Sequence, residues 1–318
     1  MISADDYTSF LDREYLSSFV AGGGGAVKFA VAPDDGVAQR FSDELRLCAD
    51  AAGFVAVRVD AAQTRVHMID QLFFAIARQI DWDALARTTV RDAWAAIAHP
   101  VPDGSADLTV AAMAERHGVD PAELSRDVNR HLQLRIHRDY AMAQEFRIAM
   151  LRLCQAPLAT GQVTGAEHTA VLEWLRGDLR QMSLLRSATI FRRIGRHNAR
   201  YLLFSLAHWL SVNATSGLVL ELDMRRLGVA RRPHADERSG LYYTKAALMD
   251  AYELLRQLVD NTDELTHCCV AVICAPEFLA DQARGVEAYQ ALKLRIIDDV
   301  RDLRRDNPYA SLIRLGAE

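Results

Sequence analysis

The sequence GGGGAVKFAVAPDDGVAQRF, residues 22–41, has the layout of a phosphate-binding strand, loop and helix. A working loop of this kind follows the pattern GxxxxGK[ST], in which glycines let backbone N–H groups face the phosphates, a lysine neutralises their charge and a hydroxyl holds Mg²⁺. At the matching positions this chain has Ala38 instead of the lysine and Gln39 instead of the hydroxyl, and Pro33 removes one backbone donor. The groups that bind a triphosphate are therefore missing.

Two acidic residues make the same loop still less suited to phosphate. Asp34 and Asp35 bring negative charge to the place where a triphosphate would bring its own, and the dipole of the following helix opposes that repulsion with only about half a charge. We expect these side chains, or a nearby acid, to fill part of the phosphate space and to cap the helix that begins near Val37. The loop would then stabilise the fold instead of binding a nucleotide.

The second half of such a site is an apolar strand that ends in an acid, followed by another acid that activates water. The segment GLVLELDM, residues 217–224, supplies Asp223, but Met224 follows it and cannot act as a base. We predict a degenerate nucleotide site with no catalytic residue and no expected cofactor, ATP–Mg²⁺ being the disfavoured alternative. Its cofactor-binding remnant comprises Asp34, Asp35, Gly36, Ala38, Gln39 and Asp223.

One arginine-rich stretch could contact nucleic acid. Arg192, Arg196 and Arg200 are spaced at i, i+4 and i+8 on a long helix predicted over about 188–211, with Arg193 beside them. Such a stripe contacts a phosphate backbone or a partner protein, or else it is a solvated face paired with acids. A second cluster, in the polar link that follows, consists of Arg225, Arg226, Arg231 and Arg232.

Neither a metal site nor covalent catalysis is indicated. His131 and His137 are six residues apart, a spacing that suits no helical metal pair, and the five cysteines show no CxxC spacing. No serine lies in a nucleophile elbow. We expect reduced, buried thiols and no bound metal.

The elements that must position these residues follow an α/β pattern at both ends of the chain. Four apolar segments alternate with amphipathic helical segments, an order typical of a mostly parallel sheet covered by helices. They are residues 26–32, 54–61, 217–224 and 268–276. We predict a first half of the α/β core at 1–97, an all-helical insertion at 98–186 and a second half of the core at 187–318.

The overall charge and hydropathy exclude other classes of protein. A formal net charge of −5 does not mark the whole chain as a nucleic-acid binder, so such contact needs a local basic face. The N-terminal MISADDYTSFLDREYL carries acids where a signal peptide needs positive charge, and no run reaches the ~18 apolar residues of a membrane helix. We expect a soluble, cytoplasmic protein without membrane contact.

The chain resembles the ATP-binding proteins of BREX bacteriophage-exclusion systems over about residues 17–315. The similar stretches are GGGGAVKF, VLEWLRGD, GRHNARYLLFSLAHWL, GLVLELD, GLYYTKAALMDAYELLRQLVDNTDEL and the region from APEFLADQARG to NPYASLIRL. That family is a P-loop ATPase group related to AAA+ and origin-recognition ATPases. The resemblance implies a three-layer α/β fold, P-loop NTPase-like and AAA+-related, and a role in antiviral defence.

The same resemblance argues against ATPase activity. The family's glycine–lysine–threonine loop aligns with Val37, Ala38 and Gln39, and its acidic pair with Asp223 and Met224, so only Asp223 is kept. We predict a non-hydrolysing subunit that acts through protein–protein interaction with a helicase, a nuclease or an active ATPase paralogue. It would reach DNA through them, and it could form homo- or hetero-oligomers. The alternatives are a working ATPase that uses Lys28, and a DNA-contacting module built on the arginine stripe.

Overall fold

The structure is a computed structural model and describes residues 1–102, 104–213, 215–229, 240–297 and 307–316. Its strands are β1 (Gly25–Val31), β2 (Val55–Asp60), β3 (Leu218–Asp223), β4 (Cys268–Cys274) and β5 (Leu312–Arg314). They form one sheet in the order β2-β3-β4-β1-β5, and every neighbouring pair is parallel. The predicted α/β class with a parallel sheet is confirmed.

Twelve α-helices accompany the sheet within the described residues. The first six are α1 (Ala4–Leu11), α2 (Asp35–Ala51), α3 (Ile69–Ala77), α4 (Trp82–Ala96), α5 (Val110–His117) and α6 (Pro121–Leu132). The others are α7 (Gln144–Gln155), α8 (Gly165–Arg176), α9 (Ala199–Ser211), α10 (Lys245–Asp260), α11 (Glu277–Ala280) and α12 (Gln290–Ile296).

The chain divides into two compact units. One comprises Met1–Ile76 with Ala207–Glu318 and contains the sheet, and the other is Ala77–Leu206, in which the described residues form no strand. The helical unit starts earlier and ends later than the segment 98–186 that the sequence indicated. It starts earlier because α4 packs against α6 and α7 and so belongs to this unit.

The strands owe their place in the sheet to continuous apolar sequence. Every residue of β3 and β4 is buried, as expected for strands covered on both faces. Three charged strand residues, Lys28, Glu221 and Asp223, are buried as well. A buried charge is costly unless it is paired. The partners of these three residues therefore decide whether their charges remain available to a ligand.

The parallel register brings the two predicted half-sites to one edge of the sheet. Asp60 lies beside Asp223, Asp223 beside Ile273, and Val31 beside Cys274. The loop after β1 and the acid that ends β3 are therefore at the same carboxyl edge, with β4 between them. This is the edge at which open parallel sheets bind their ligands.

The helix predicted over 188–211 is wrong in its first half, because α9 begins only at Ala199. The indole Nε1 of Trp174 donates a hydrogen bond to the carbonyl of Arg192 at 2.9 Å. This carbonyl therefore accepts from a side chain instead of from a helical N–H. The four arginines consequently do not form one helical stripe: Arg192, Arg193 and Arg196 precede α9, and Arg200 lies on it.

Candidate functional site

The loop after β1 is closed by one of its own carboxylates. Asp34 is the N-cap of α2, and its Oδ1 accepts a hydrogen bond from the backbone N–H of Val37 at 2.9 Å. This bond occupies one of the free N–H groups on which anion binding at a helix N-terminus depends. The prediction that an acid of the loop caps the helix is confirmed for Asp34.

Asp35 does not cap the helix, and for this residue the prediction was wrong. The helix begins at Asp35, because the cap is the residue before it. The Asp35 side chain is fully exposed, and its Oδ1 accepts a hydrogen bond from Nη1 of Arg225 at 2.5 Å. Asp35 thus contacts the segment that follows β3.

Arg225 covers the carboxylate at the end of β3. Its Nη2 donates to Oδ2 of Asp223 at 2.6 Å and its Nε donates to Oδ1 at 2.9 Å. This is the bidentate geometry that arginine adopts with carboxylates. The backbone N–H of Arg225 adds a bond to Oδ1 at 3.2 Å. Both oxygens of Asp223 are therefore engaged within the protein.

These contacts set the ionisation of the buried acid. Burial acts to raise the pKa of Asp223, but hydrogen bonds from Arg225 and Arg58 and the charge of Arg225 outweigh it, so the pKa is lowered. Hydrogen bonding to Asp223 raises the pKa of Arg225 in turn. The pair is consequently ionised at neutral pH, with its charges compensated internally.

A second arginine reaches the same carboxylate from β2. Nη2 of Arg58 lies 3.1 Å from Oδ2 of Asp223, and its Nε lies 3.1 Å from Oε1 of Glu221, the residue beside it in the sheet. Nη1 of Arg58 donates to Oγ of Ser42 at 3.0 Å and to Oε1 of Gln39 at 3.2 Å. Gln39, at the position of the missing hydroxyl, therefore contacts an arginine of the protein.

Glu221 completes a group of opposite charges. Burial raises the pKa of Glu221, although the hydrogen bond from Oγ of Ser42, 2.7 Å long, and the charge of Arg58 act to lower it. The residues of this group are referred to below as the edge cluster: Asp35, Arg58, Glu221, Asp223 and Arg225. The cluster contains three acids and two arginines, so each arginine charge already faces a carboxylate of the protein.

The position that aligns with the phosphate-binding lysine lies in the core. Ala38 is 1% exposed and packs in the apolar cluster that contains Ala30 and Phe41. A lysine there would bury an amine among apolar side chains. Gly36 leaves room for the cap, because a Cβ at this position would lie only 3.2 Å from Oδ1 of Asp34.

Lys28, the candidate for a displaced phosphate-binding lysine, is held in the sheet. Its Nζ donates to the carbonyls of Tyr309 at 2.8 Å and Ala310 at 3.3 Å, and it lies 4.2 Å from the centre of the Tyr15 ring. Burial lowers the pKa of Lys28 to about 8. To reach a phosphate at the loop, the amine would have to leave all three partners.

The second arginine cluster of the sequence is divided by the structure. Arg225 belongs to the edge cluster, and Nε of Arg226 donates to the carbonyl of Leu241 at 2.7 Å. Arg231 and Arg232 lie outside the described residues. Arg225 is thus a structural partner of Asp223, a role that its place in an arginine cluster of the sequence did not indicate.

Arg58 and Glu221 were also missed, although the sequence held a signal for them. Each is a charged residue within an apolar strand, and such a residue needs a partner when it is buried. The sequence did not show that β2 and β3 are neighbours, so it could not pair them.

Two kinds of feature are absent from the described ranges. In them no three His, Cys, Asp or Glu residues are placed to hold a metal ion. No helix that the structure describes is both long enough and apolar enough to cross a membrane.

Comparison with known proteins identifies one family. The family model described as BREX system ATP-binding protein BrxC/D matches residues 18–317 of this chain. No curated protein and no solved structure matches the chain significantly.

Proposed function

This chain belongs to the family of BREX system ATP-binding proteins, and we propose that it serves phage defence as a subunit that does not hydrolyse ATP and acts through protein–protein contacts. The observation that carries the proposal is the bidentate pair between Arg225 and Asp223. It engages both oxygens of the acid that would otherwise help to hold Mg²⁺.

The residues at the carboxyl edge do not fit ATP–Mg²⁺. The lysine position is a buried alanine, and Gln39 donates through Nε2 to Asp43 at 2.9 Å and accepts from Arg58. The positive charge of Arg225 is already neutralised by Asp35 and Asp223. A triphosphate would have to break these pairs without a lysine to compensate for them.

We also propose that the fold is of the P-loop NTPase type, related to AAA+ ATPases. The support is the parallel sheet, the loop between β1 and the N-terminus of α2, and the acid at the end of β3, all at one carboxyl edge. In this interpretation the loop and the acid keep their places, while internal ion pairs replace the groups that bind phosphate and Mg²⁺.

A subunit without turnover contributes by binding other proteins. The family is named for a multi-protein system, so we propose that the partner is another component of it: a helicase, a nuclease or an active ATPase paralogue. Assembly as a homo- or hetero-oligomer, in the cytoplasm, fits this role. Duplex DNA would be reached through the partner.

A second candidate function is that the chain still binds ATP. It is supported by the description of the family as ATP-binding. Calorimetry of the purified full-length chain with ATP–Mg²⁺, together with a phosphate-release assay, separates the two. We expect no turnover above that of heat-inactivated protein and no heat of binding at micromolar nucleotide. A dissociation constant tighter than roughly 10 µM, or steady phosphate release, would refute the degenerate site.

The protein-interaction part has its own test. The tagged chain is purified from cells that express the complete defence system, and phage restriction is measured with and without its gene. We expect a stoichiometric defence protein in the purified sample and loss of restriction on deletion. A chain that is recovered alone, and whose deletion leaves restriction unchanged, contradicts this part of the proposal.

A further inference from the structure

Residues 176–201, called the basic segment below, carry a charge opposite to that of the chain. The segment has seven arginines and a single acid, Asp178, which gives it a formal charge of +6 in a chain of net charge −5. Asp178 is itself paired with Arg78, from outside the segment, at 2.9 Å. The arginines of the segment are therefore not balanced from within it.

Buried side chains and hydrogen bonds hold the basic segment on the helical unit. Leu185, Ile190 and Ile194 are buried. The carbonyl of Arg192 accepts from the Trp174 indole, and the carbonyl of Ser187 accepts from Nη2 of Arg152 at 3.0 Å. An anchored backbone lowers the entropy that the exposed side chains lose when a partner binds.

The anchored segment presents aromatic rings beside its arginines. Phe191 is 69% exposed and directly precedes Arg192, whose side chain is 72% exposed. Tyr201 is 50% exposed, and the guanidinium of Arg200 lies 5.3 Å from the centre of its ring. Exposed rings beside arginines on an anchored backbone can stack on unpaired bases while the arginines contact phosphates.

The contacts of Arg192 and Arg193 leave positive charge on the surface. Nη2 of Arg193 donates to the backbone carbonyl of Arg180 at 2.8 Å, an acceptor that carries no net charge. Arg192 lies 3.7 Å from Glu145, too far for a strong hydrogen bond. An exposed ion pair of this length contributes little and can be exchanged for a phosphate.

We infer that the basic segment binds single-stranded nucleic acid, with arginines on the phosphates and with Phe191 and Tyr201 as stacking surfaces for bases. Arginine pairs with phosphates whatever the sequence, and exposed rings stack on any unpaired base. A duplex covers its base faces, whereas a single strand offers phosphates and unpaired bases together. The inference does not depend on the nucleotide site, since the segment lies in the other compact unit.

The first experiment uses the full-length protein, freed of co-purified nucleic acid, and fluorescence anisotropy. The probes are a labelled oligothymidylate of about 20 nucleotides and a mixed-sequence duplex of the same length. We expect the single strand to bind at least tenfold more tightly than the duplex. Its affinity should fall roughly 20-fold between 50 and 200 mM salt if about three phosphates are contacted.

The second experiment compares two charge-reversal variants that have the same net charge as each other. Arg192→Glu, Arg193→Glu and Arg196→Glu are combined in one variant. The control combines Arg126→Glu, Arg130→Glu and Arg138→Glu, exposed positions of the same unit outside the basic segment. We expect the first variant to lose binding and its salt dependence, and the control to keep most of both. Phe191→Ala should weaken single-strand binding by roughly tenfold and leave duplex binding unchanged.

Three outcomes would overturn the inference. The first is that the wild-type protein does not bind the single strand at low salt. The second is equal binding of both probes that Phe191→Ala leaves unchanged, because that pattern reports phosphate contact alone. The third is loss of a defence protein from the purified complex of the triple variant while its oligothymidylate binding persists, because the segment would then be a protein-binding surface. Melting temperatures equal to wild type show that each variant is folded.

Discussion

Arg225 and Asp223 form a bidentate ion pair at the carboxyl edge of the sheet, with N–O distances of 2.6 and 2.9 Å. Asp35 at the start of α2 contacts the same guanidinium, and Arg58 on β2 contacts the same carboxylate. The pair therefore ties together the loop after β1 and the strands β2 and β3. An edge at which parallel sheets usually bind ligands is here connected by charges of the protein itself.

Arg225→Ala should destabilise the protein by about 3 kcal/mol, because it leaves a buried carboxylate with Arg58 as its remaining arginine partner. Urea denaturation followed by circular dichroism measures the change. Arg46→Ala is the matched control, since its ion pair with Asp50 is 3.9 Å long and well exposed, and removing it should hardly move the midpoint. Equal midpoints for the two variants would show that solvent screens the edge cluster.

Asp34→Ala should cost about 1 kcal/mol of stability through loss of the N-cap of α2. Asp34→Ser, which keeps an acceptor for the N–H of Val37, should recover most of that loss. Thermal unfolding of the two variants beside the wild type provides the comparison. If serine were as destabilising as alanine, the carboxylate would act through its charge rather than as a cap.

The double change Ala38→Lys and Gln39→Thr should not produce ATP hydrolysis. The new amine would enter an apolar core, Met224 still cannot act as a base, and Arg225 still engages Asp223. We expect a lowered melting temperature and no phosphate release, with Gln39→Thr alone as the control for loss of the Arg58 contact. Turnover by the double variant would mean that a catalytic acid comes from another residue.

Lys28→Met should reveal a pH-dependent cost of the buried amine. The pKa of Lys28 is lowered to about 8 in the folded protein, against about 10.4 in an unfolded chain. Because the unfolded chain holds this proton more tightly, stability rises with pH between these two values. The wild type should gain about 2 kcal/mol relative to Lys28→Met from pH 7 to pH 9.5. Parallel denaturation at the two pH values tests this, and a constant difference would contradict it.

Local sequence patterns predicted most of the fold. The continuous apolar runs around Phe29, Leu220 and Val272 form strands close to the predicted limits, because runs of this kind become buried on both faces of a parallel sheet. The spacing of Arg192, Arg196 and Arg200 was misleading. It indicated a helix, but the tertiary contact between Trp174 and the carbonyl of Arg192 opposes one.

The sequence by itself determined the strands, the helical middle and the absence of lysine and hydroxyl from the loop after β1, since these depend on residue type and local order. Only the tertiary structure decided which arginines pair with the buried carboxylate of Asp223. Arg58 reaches it across 165 positions of sequence, through the register of β2 on β3. Ion pairs of this kind depend on which strands become neighbours, and apolar periodicity carries no information about that choice.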